Sequence, residues 1–118
     1  METKDVAKRL YELCSKGEYA TAYQELFSPN AKSIEPAHAP EPQVVQGMDA
    51  FAKKGKVFQE TIEEMHDGYV KEPKVYGDFF SMEMGMEVTM KGAGRIKMDE
   101  LVVYQVEDGK IISEQFFY

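Results

Sequence analysis

The residues of this sequence that can do chemistry are carboxylates in unusual company. Glu114 falls between Ile112 and Phe116 at period-two spacing, and a charge on an apolar strand face is costly unless it is paired. Such a group is either a held acid or base, or it faces solvent or a partner. Glu35 stands immediately before Pro36, where the plain role of a carboxylate is a cap or an ion pair at a strand end. His38 follows in a loop with three prolines between Pro36 and Pro42. It can serve as a second acid or base, or as a metal ligand with Glu35 and Glu114, although the commoner case is a solvated loop histidine. Cys14 is the single cysteine, lies on an apolar helical stripe and reads as a small core residue with no redox role. His66 reads as a cap on the last carbonyls of a helix.

Composition narrows the partners. The 118 residues carry 14 Lys and Arg against 21 Asp and Glu, a net charge of −7. That balance disfavours nucleic acid, whose phosphates demand clustered basic charge. No apolar run approaches the roughly 18 residues of a membrane span, and the charged stretch Met1 to Arg9 does not read as a signal peptide. A soluble, cytoplasmic, single-domain protein over residues 1–118 is expected, one core being sufficient for this length.

The elements that must position the candidate residues follow from periodicity. Val6, Leu10, Leu13 and Cys14 recur at helical spacing, predicting a helix over Lys4 to Lys16 with Thr3 as cap and Gly17 as stop. A second helix is predicted over Tyr19 to Phe27, burying Ala20, Tyr23, Leu26 and Phe27 and ended by Pro29-Asn30. Ala31 to Glu35 is a short strand, and the proline-rich stretch after it a loop. Asp49 is the expected cap of a third helix whose apolar stripe runs Phe51, Gly55, Phe58, Ile62, Met65, with Gly55 marking a close approach to the sheet. Tyr69 to Tyr76 reads as a weak strand broken near Glu72-Pro73. In Phe79 to Met90, the residues Met82, Met84, Met86, Val88 and Met90 alternate with polar ones, which is a strand with one core face. Its thioethers also suit an irregular apolar ligand. Lys91 to Gly94 is a turn, lacking the strand-to-helix setting of a phosphate cradle.

The chain ends in a predicted hairpin, Ile96 to Val106 and Lys110 to Tyr118, turning at Asp108-Gly109. Two registers are open. A three-residue loop with a glycine bulge pairs Val106 with Lys110 and places Glu100, Val102 and Tyr104 on the face of Ile112, Glu114, Phe116 and Tyr118. A two-residue turn pairs Glu107 with Lys110 and moves Glu114 to the face of Leu101 and Val103. Helix, helix, strand, helix and then four strands give an α+β fold, three helices packed on one face of a curved, mostly antiparallel sheet.

The Leu26-Phe27 close of the helix pair, the Ser33-Ile34-Glu35-Pro36 strand end, the Gly47 to Met65 helix and the Glu107 to Ile111 turn together resemble the SnoaL-like branch of the nuclear-transport-factor-like superfamily. The resemblance covers essentially the whole chain. It implies a cone whose helices and strongly bent sheet enclose a pocket, commonly in homodimers paired through the sheet, with members that range from ketosteroid isomerases and polyketide cyclases to proteins without catalysis. In ketosteroid isomerases the general base precedes a proline eight residues beyond the Leu-Phe pair, and that position here is Glu35. The two oxyanion donors of those enzymes fall on Leu10 and Val102, neither of which can donate, so steroid isomerisation is not implied. The resemblance favours the first hairpin register. It implies a cone lined by Leu10, Phe58, Met84, Met86, Glu100, Val102, Tyr104 and Phe116. Two functions are compatible with it. In one, Glu35 moves a proton of a small apolar or carbonyl-containing molecule while Glu114, His38 or Tyr118 supplies the complementary acid, with no metal or organic cofactor. In the other, a non-catalytic dimer binds a small molecule or a partner.

Overall fold

The computed structural model describes residues 1–118. The stripe of Val6, Leu10, Leu13 and Cys14 does form a helix, α1 (Thr3–Ser15), and all four are buried. Its cap is Glu2 rather than Thr3, and the Glu2 backbone N–H donates to the Asp5 carboxylate at 3.0 Å. The second helix, α2 (Tyr19–Leu26), buries Ala22 and Leu26. Ala20, expected inside, is exposed because the buried pair at i and i+4 leaves it on the opposite side. Phe27 belongs to strand β1 (Phe27–Ile34), which therefore begins well before Ala31. Pro29 is tolerated there because pairing with the neighbouring strand is interrupted between Phe27 and Lys32, so its missing N–H breaks no ladder.

A short strand that periodicity did not reveal, β2 (Val44–Gln46), follows the proline-rich loop and pairs with the end of β1. The third helix, α3 (Met48–Thr61), is capped by Gly47, not by Asp49, which sits in its first turn. It stops at Thr61, because Ile62 pairs with Met90 and the chain continues as β3 (Ile62–Val70). The apolar stripe expected to run to Met65 is thus split between a helix and a strand. Gly55 is open to solvent, with nothing within 4 Å of a Cβ placed on it, so it marks no approach to the sheet. His66 lies on β3 with Nε2 2.7 Å from Thr89 Oγ1, and caps no helix. The expected break near Pro73 does occur, separating β3 from β4 (Lys74–Tyr76).

The remaining strands are β5 (Phe79–Met90), β6 (Gly94–Glu107) and β7 (Lys110–Phe117). The sheet order is β2-β1-β7-β6-β5-β3, with β4 also on β5, and only the β1–β7 pair is parallel. The fold is α+β, with three helices on one face of a curved, unclosed, mostly antiparallel sheet. Between helices and sheet lies one core. Phe80 stacks on Tyr104, and Tyr23, Phe27 and Phe51 meet edge to face.

The terminal hairpin resolves its register by combining both expectations. Asp108 and Gly109 take φ of 51° and 75°, so the turn has two residues and Glu107 faces Lys110, which corrects the three-residue loop. A bulge at Ile112 then shifts the pairing, and Tyr104 faces Glu114 while Val102 faces Phe116. Glu100, Val102, Tyr104, Glu114 and Phe116 consequently share the helix-covered face, as the first register required, while Ile111 instead of Ile112 takes the core position beside Val106.

Candidate functional site

On β1 the residues Ala31 and Ser33 alternate onto the helix side, with Glu35 next in that alternation just past the strand end, and β7 runs parallel beside them with Glu114 opposite Ser33. From α3, Lys54 reaches down to this strand pair. Its Nζ lies 2.7 Å from Glu35 Oε1 and donates to Ser33 Oγ at 2.8 Å, while sitting 4.8 Å from the centre of the Phe116 ring. The other Glu35 oxygen accepts from the Tyr118 hydroxyl at 2.9 Å. The His38 ring meets the Tyr118 ring edge to face at 5.4 Å. One ammonium and one phenol therefore hold Glu35, and the proline-rich loop brackets the phenol.

Burial sets the electrostatics. Glu114 is only 5% exposed, and removal from water pushes its carboxyl up to about 7. Lys54 and a hydrogen bond from Ser33 oppose that rise, while Glu35 and Glu100 add to it. Glu100, half-buried on β6, is likewise pushed up to about 7, first by burial and then by Glu35, with Lys54 opposing. The Tyr118 hydroxyl is pushed up to about 12 by burial and by its bond to Glu35. Burial also raises the Cys14 thiol to about 12, which leaves it protonated and unreactive. Two carboxyl groups near neutrality beside a lysine-bound carboxylate form a set that can both release and accept a proton at physiological pH.

The model of the SnoaL-like domain family matches residues 1–118. The chain belongs to the SnoaL-like family. Among solved structures it is similar to that of a candidate SnoaL-like polyketide cyclase from Mesorhizobium loti, with 35% identity, a TM-score of 0.92 and full coverage of both chains. An NTF2-like protein from Burkholderia thailandensis shares the fold at 15% identity and a TM-score of 0.83, over 99% of this chain and 90% of the other. So does a ketosteroid isomerase-like fold from Catenulispora acidiphila, solved with trimethylamine, at 16% identity and a TM-score of 0.72 over 96% and 84% of the two chains. No functionally curated protein matches the sequence.

Within the SnoaL-like chain, the residues singled out by sequence divide into two groups. Glu35, Glu100, Glu114, Phe116 and Tyr118 converge around Lys54, and His38 touches the cluster only through Tyr118. No three His, Cys, Asp or Glu side chains are arranged to hold a metal ion, so His38, Glu35 and Glu114 do not form a ligand set. Leu10 and Val102, the positions of the isomerase oxyanion donors, are 2% and 0% exposed and belong to the packed core. Tyr104 is also buried in that core, opposite Glu114. Met84 packs against the core, and Met86 and Phe58 are half-buried.

Two clefts lie away from Glu35, Glu100 and Glu114. One of about 710 Å³ separates the N-terminus from the β6–β7 turn, and one of about 350 Å³ separates α1 from β4. Sequence reasoning missed Lys54 and Ser33. Both left a signal. Lys54 sits three residues after Phe51 and four before Phe58 on the inward stripe of α3, and Ser33 falls between Ala31 and Glu35 at strand period.

Proposed function

We propose that this SnoaL-like protein is a cofactor-independent acid–base catalyst of the cytoplasm, acting on a small neutral, apolar or carbonyl-containing compound. In this reading Glu35 moves the substrate proton, Glu114 supplies the complementary acid, Tyr118 orients Glu35, and His38 brackets Tyr118. The observation that carries the reading is the pairing of unlike carboxyl groups around Lys54. Glu35 is held by the ammonium, and Glu114 is buried and pushed up to about 7. Two titratable groups whose surroundings differ in this way are the usual basis for dividing acid from base. The Lys54 ammonium, with three N–H donors, can meet negative charge developing on a substrate oxygen. It takes the place of the donors absent at Leu10 and Val102. Glu35, with Glu100 and Glu114 each ionised in part near neutrality, outweighs the single Lys54 and disfavours an anionic ligand, which is why a neutral one is proposed.

The test is exchange of deuterium from D2O into the α-C–H bonds of a panel of small ketones and 1,3-dicarbonyls, followed by NMR. Wild-type protein is expected to accelerate exchange for at least one compound, and Glu35→Gln to lose about 100-fold or more of that rate with an unchanged circular dichroism spectrum. Exchange by Glu35→Gln at the wild-type rate, or no exchange across the panel, overturns the reading.

A second reading, a non-catalytic dimer that binds a ligand or partner, draws on the outer face of the sheet. Leu101 and Phe117 face each other there and are 38% and 46% exposed, with Val44 at 55% nearby on β2. Glu35, Glu100 and Glu114 line neither of the two clefts described above, which also favours it. Homodimerisation through that face is compatible with either function. The net charge of −7 argues against nucleic acid as a partner, and no helix is long and apolar enough to cross a membrane.

A further inference from the structure

Ser33 is 1% exposed, and a hydroxyl at that depth requires partners. The parallel register places it opposite Glu114, and Lys54 Nζ donates to its oxygen at 2.8 Å. A hydroxyl can accept one hydrogen bond while donating its own proton, so Ser33, which receives from Lys54, has its proton free for the Glu114 carboxyl across the strand pair. The same Lys54 nitrogen is 2.7 Å from Glu35. The result is a line of neighbours from the buried strand face to the loop end: Glu114 beside Ser33 across the strands, then Ser33, Lys54, Glu35 and Tyr118 joined by hydrogen bonds and an ion pair. We infer that Ser33 is a positioning residue that joins Glu114 to Lys54 and Glu35 as one coupled acid–base unit, in which the charge on either carboxylate sets the proton affinity of the other.

Around Glu114, Ser33 and Glu35 come from β1 and its end, Lys54 from α3, Tyr104 and Glu100 from β6, Tyr23 from α2 and Cys14 from α1. Of these, Lys54 is the one cation, and Ser33, which takes a hydrogen bond from it, is the cross-strand neighbour of Glu114. The inference deepens the acid–base reading of the site and rests on that reading for its catalytic meaning, but it is tested without substrate.

The experiment is a carbon-detected NMR titration of the glutamate side chains in wild-type protein and in variants whose amide spectra show the native fold. Ser33→Ala is expected to raise the Glu114 midpoint by about one pH unit, and Ser33→Thr, which keeps the hydroxyl, to stay near wild type. Glu35→Gln is expected to lower the midpoint by removing a like charge, and Lys54→Met to raise it. The Lys54→Met shift should shrink to about half or less when Ser33 is already Ala, as coupling through a shared partner requires. A wild-type Glu114 midpoint in folded Ser33→Ala overturns the inference, and so does a full Lys54→Met shift in the Ser33→Ala background. Should Ser33→Ala not fold, Glu35→Gln and Lys54→Met decide: opposite shifts support the coupled unit, and an unmoved midpoint in either overturns it. Failure of ketone exchange would leave these titrations unaffected, so the two claims fail separately.

Discussion

Glu114 gives the protein a pH dependence of stability whose sign can be worked out. Its carboxyl is pushed from 4.5 to about 7 on folding, so between those values the folded state holds more protons than the unfolded one. Stability is then full below about 4.5 and is lost as pH rises through about 7. For one group displaced this far, the loss between pH 5 and pH 8 is about 2 kcal/mol. Urea unfolding at the two pH values is expected to show it, and Glu114→Gln to remove about half of the pH dependence, because Glu100 is pushed up to about 7 as well. A wild-type slope in Glu114→Gln would mean that Glu114 is not the titrating group. At this scale the sequence was partly legible. A glutamate between Ile112 and Phe116 announces itself by type and neighbours. Lys54 is hard to single out because a lysine on a helix is ordinarily solvated; its place on the inward stripe sets it apart from Lys53 and Lys56, but its partners Glu35 and Ser33 meet it only in the fold.

Among the elements, α1 and β5 were read correctly because each keeps a single period along its length and packs one face. The Phe51 to Met65 stripe was not. Helical spacing continues past Thr61, but Ile62 finds Met90 across β5, and strand pairing overrides the local preference. The hairpin bulge at Ile112 was equally hidden, since nothing in the order Ile111-Ile112-Ser113 says which residue is left unpaired. The close approach expected at Gly55 is found instead at Gly85. There a Cβ would stand 2.6 Å from Tyr69 Cε1 and 2.7 Å from the Met98 carbonyl oxygen, while the Tyr69 hydroxyl donates to Asp99 Oδ1 at 2.7 Å across the same strand. Gly85→Ala is therefore expected to cost about 1–3 kcal/mol in urea unfolding, because a backbone atom as well as a ring must yield. A variant as stable as wild type would show that Tyr69 swings away without loss.

For the whole molecule, the curved sheet has two unlike faces. The helix-covered face buries the core and the carboxylates, while the outer face leaves Leu101 and Phe117 partly exposed beside each other. If that face pairs two copies, Leu101→Arg is expected to raise the dimer dissociation constant at least tenfold in light scattering, with tenfold corresponding to about 1.4 kcal/mol. It should leave the Glu114 titration where it was, since the two residues point to opposite sides of the sheet. A wild type that is already monomeric would exclude pairing through this face. The sequence by itself determined the α+β class, the helix-first order, the turn at Asp108-Gly109 and the identity of the suspicious carboxylates, because these depend on period, turn chemistry and residue type, all of which are local. Only the tertiary structure decided that β1 lies parallel to β7, that a bulge turns Glu114 inward, and that α3 brings Lys54 between Glu35 and Ser33. Those are contacts between residues far apart in the chain, and their energies, burial above all, exist only once the surfaces have met.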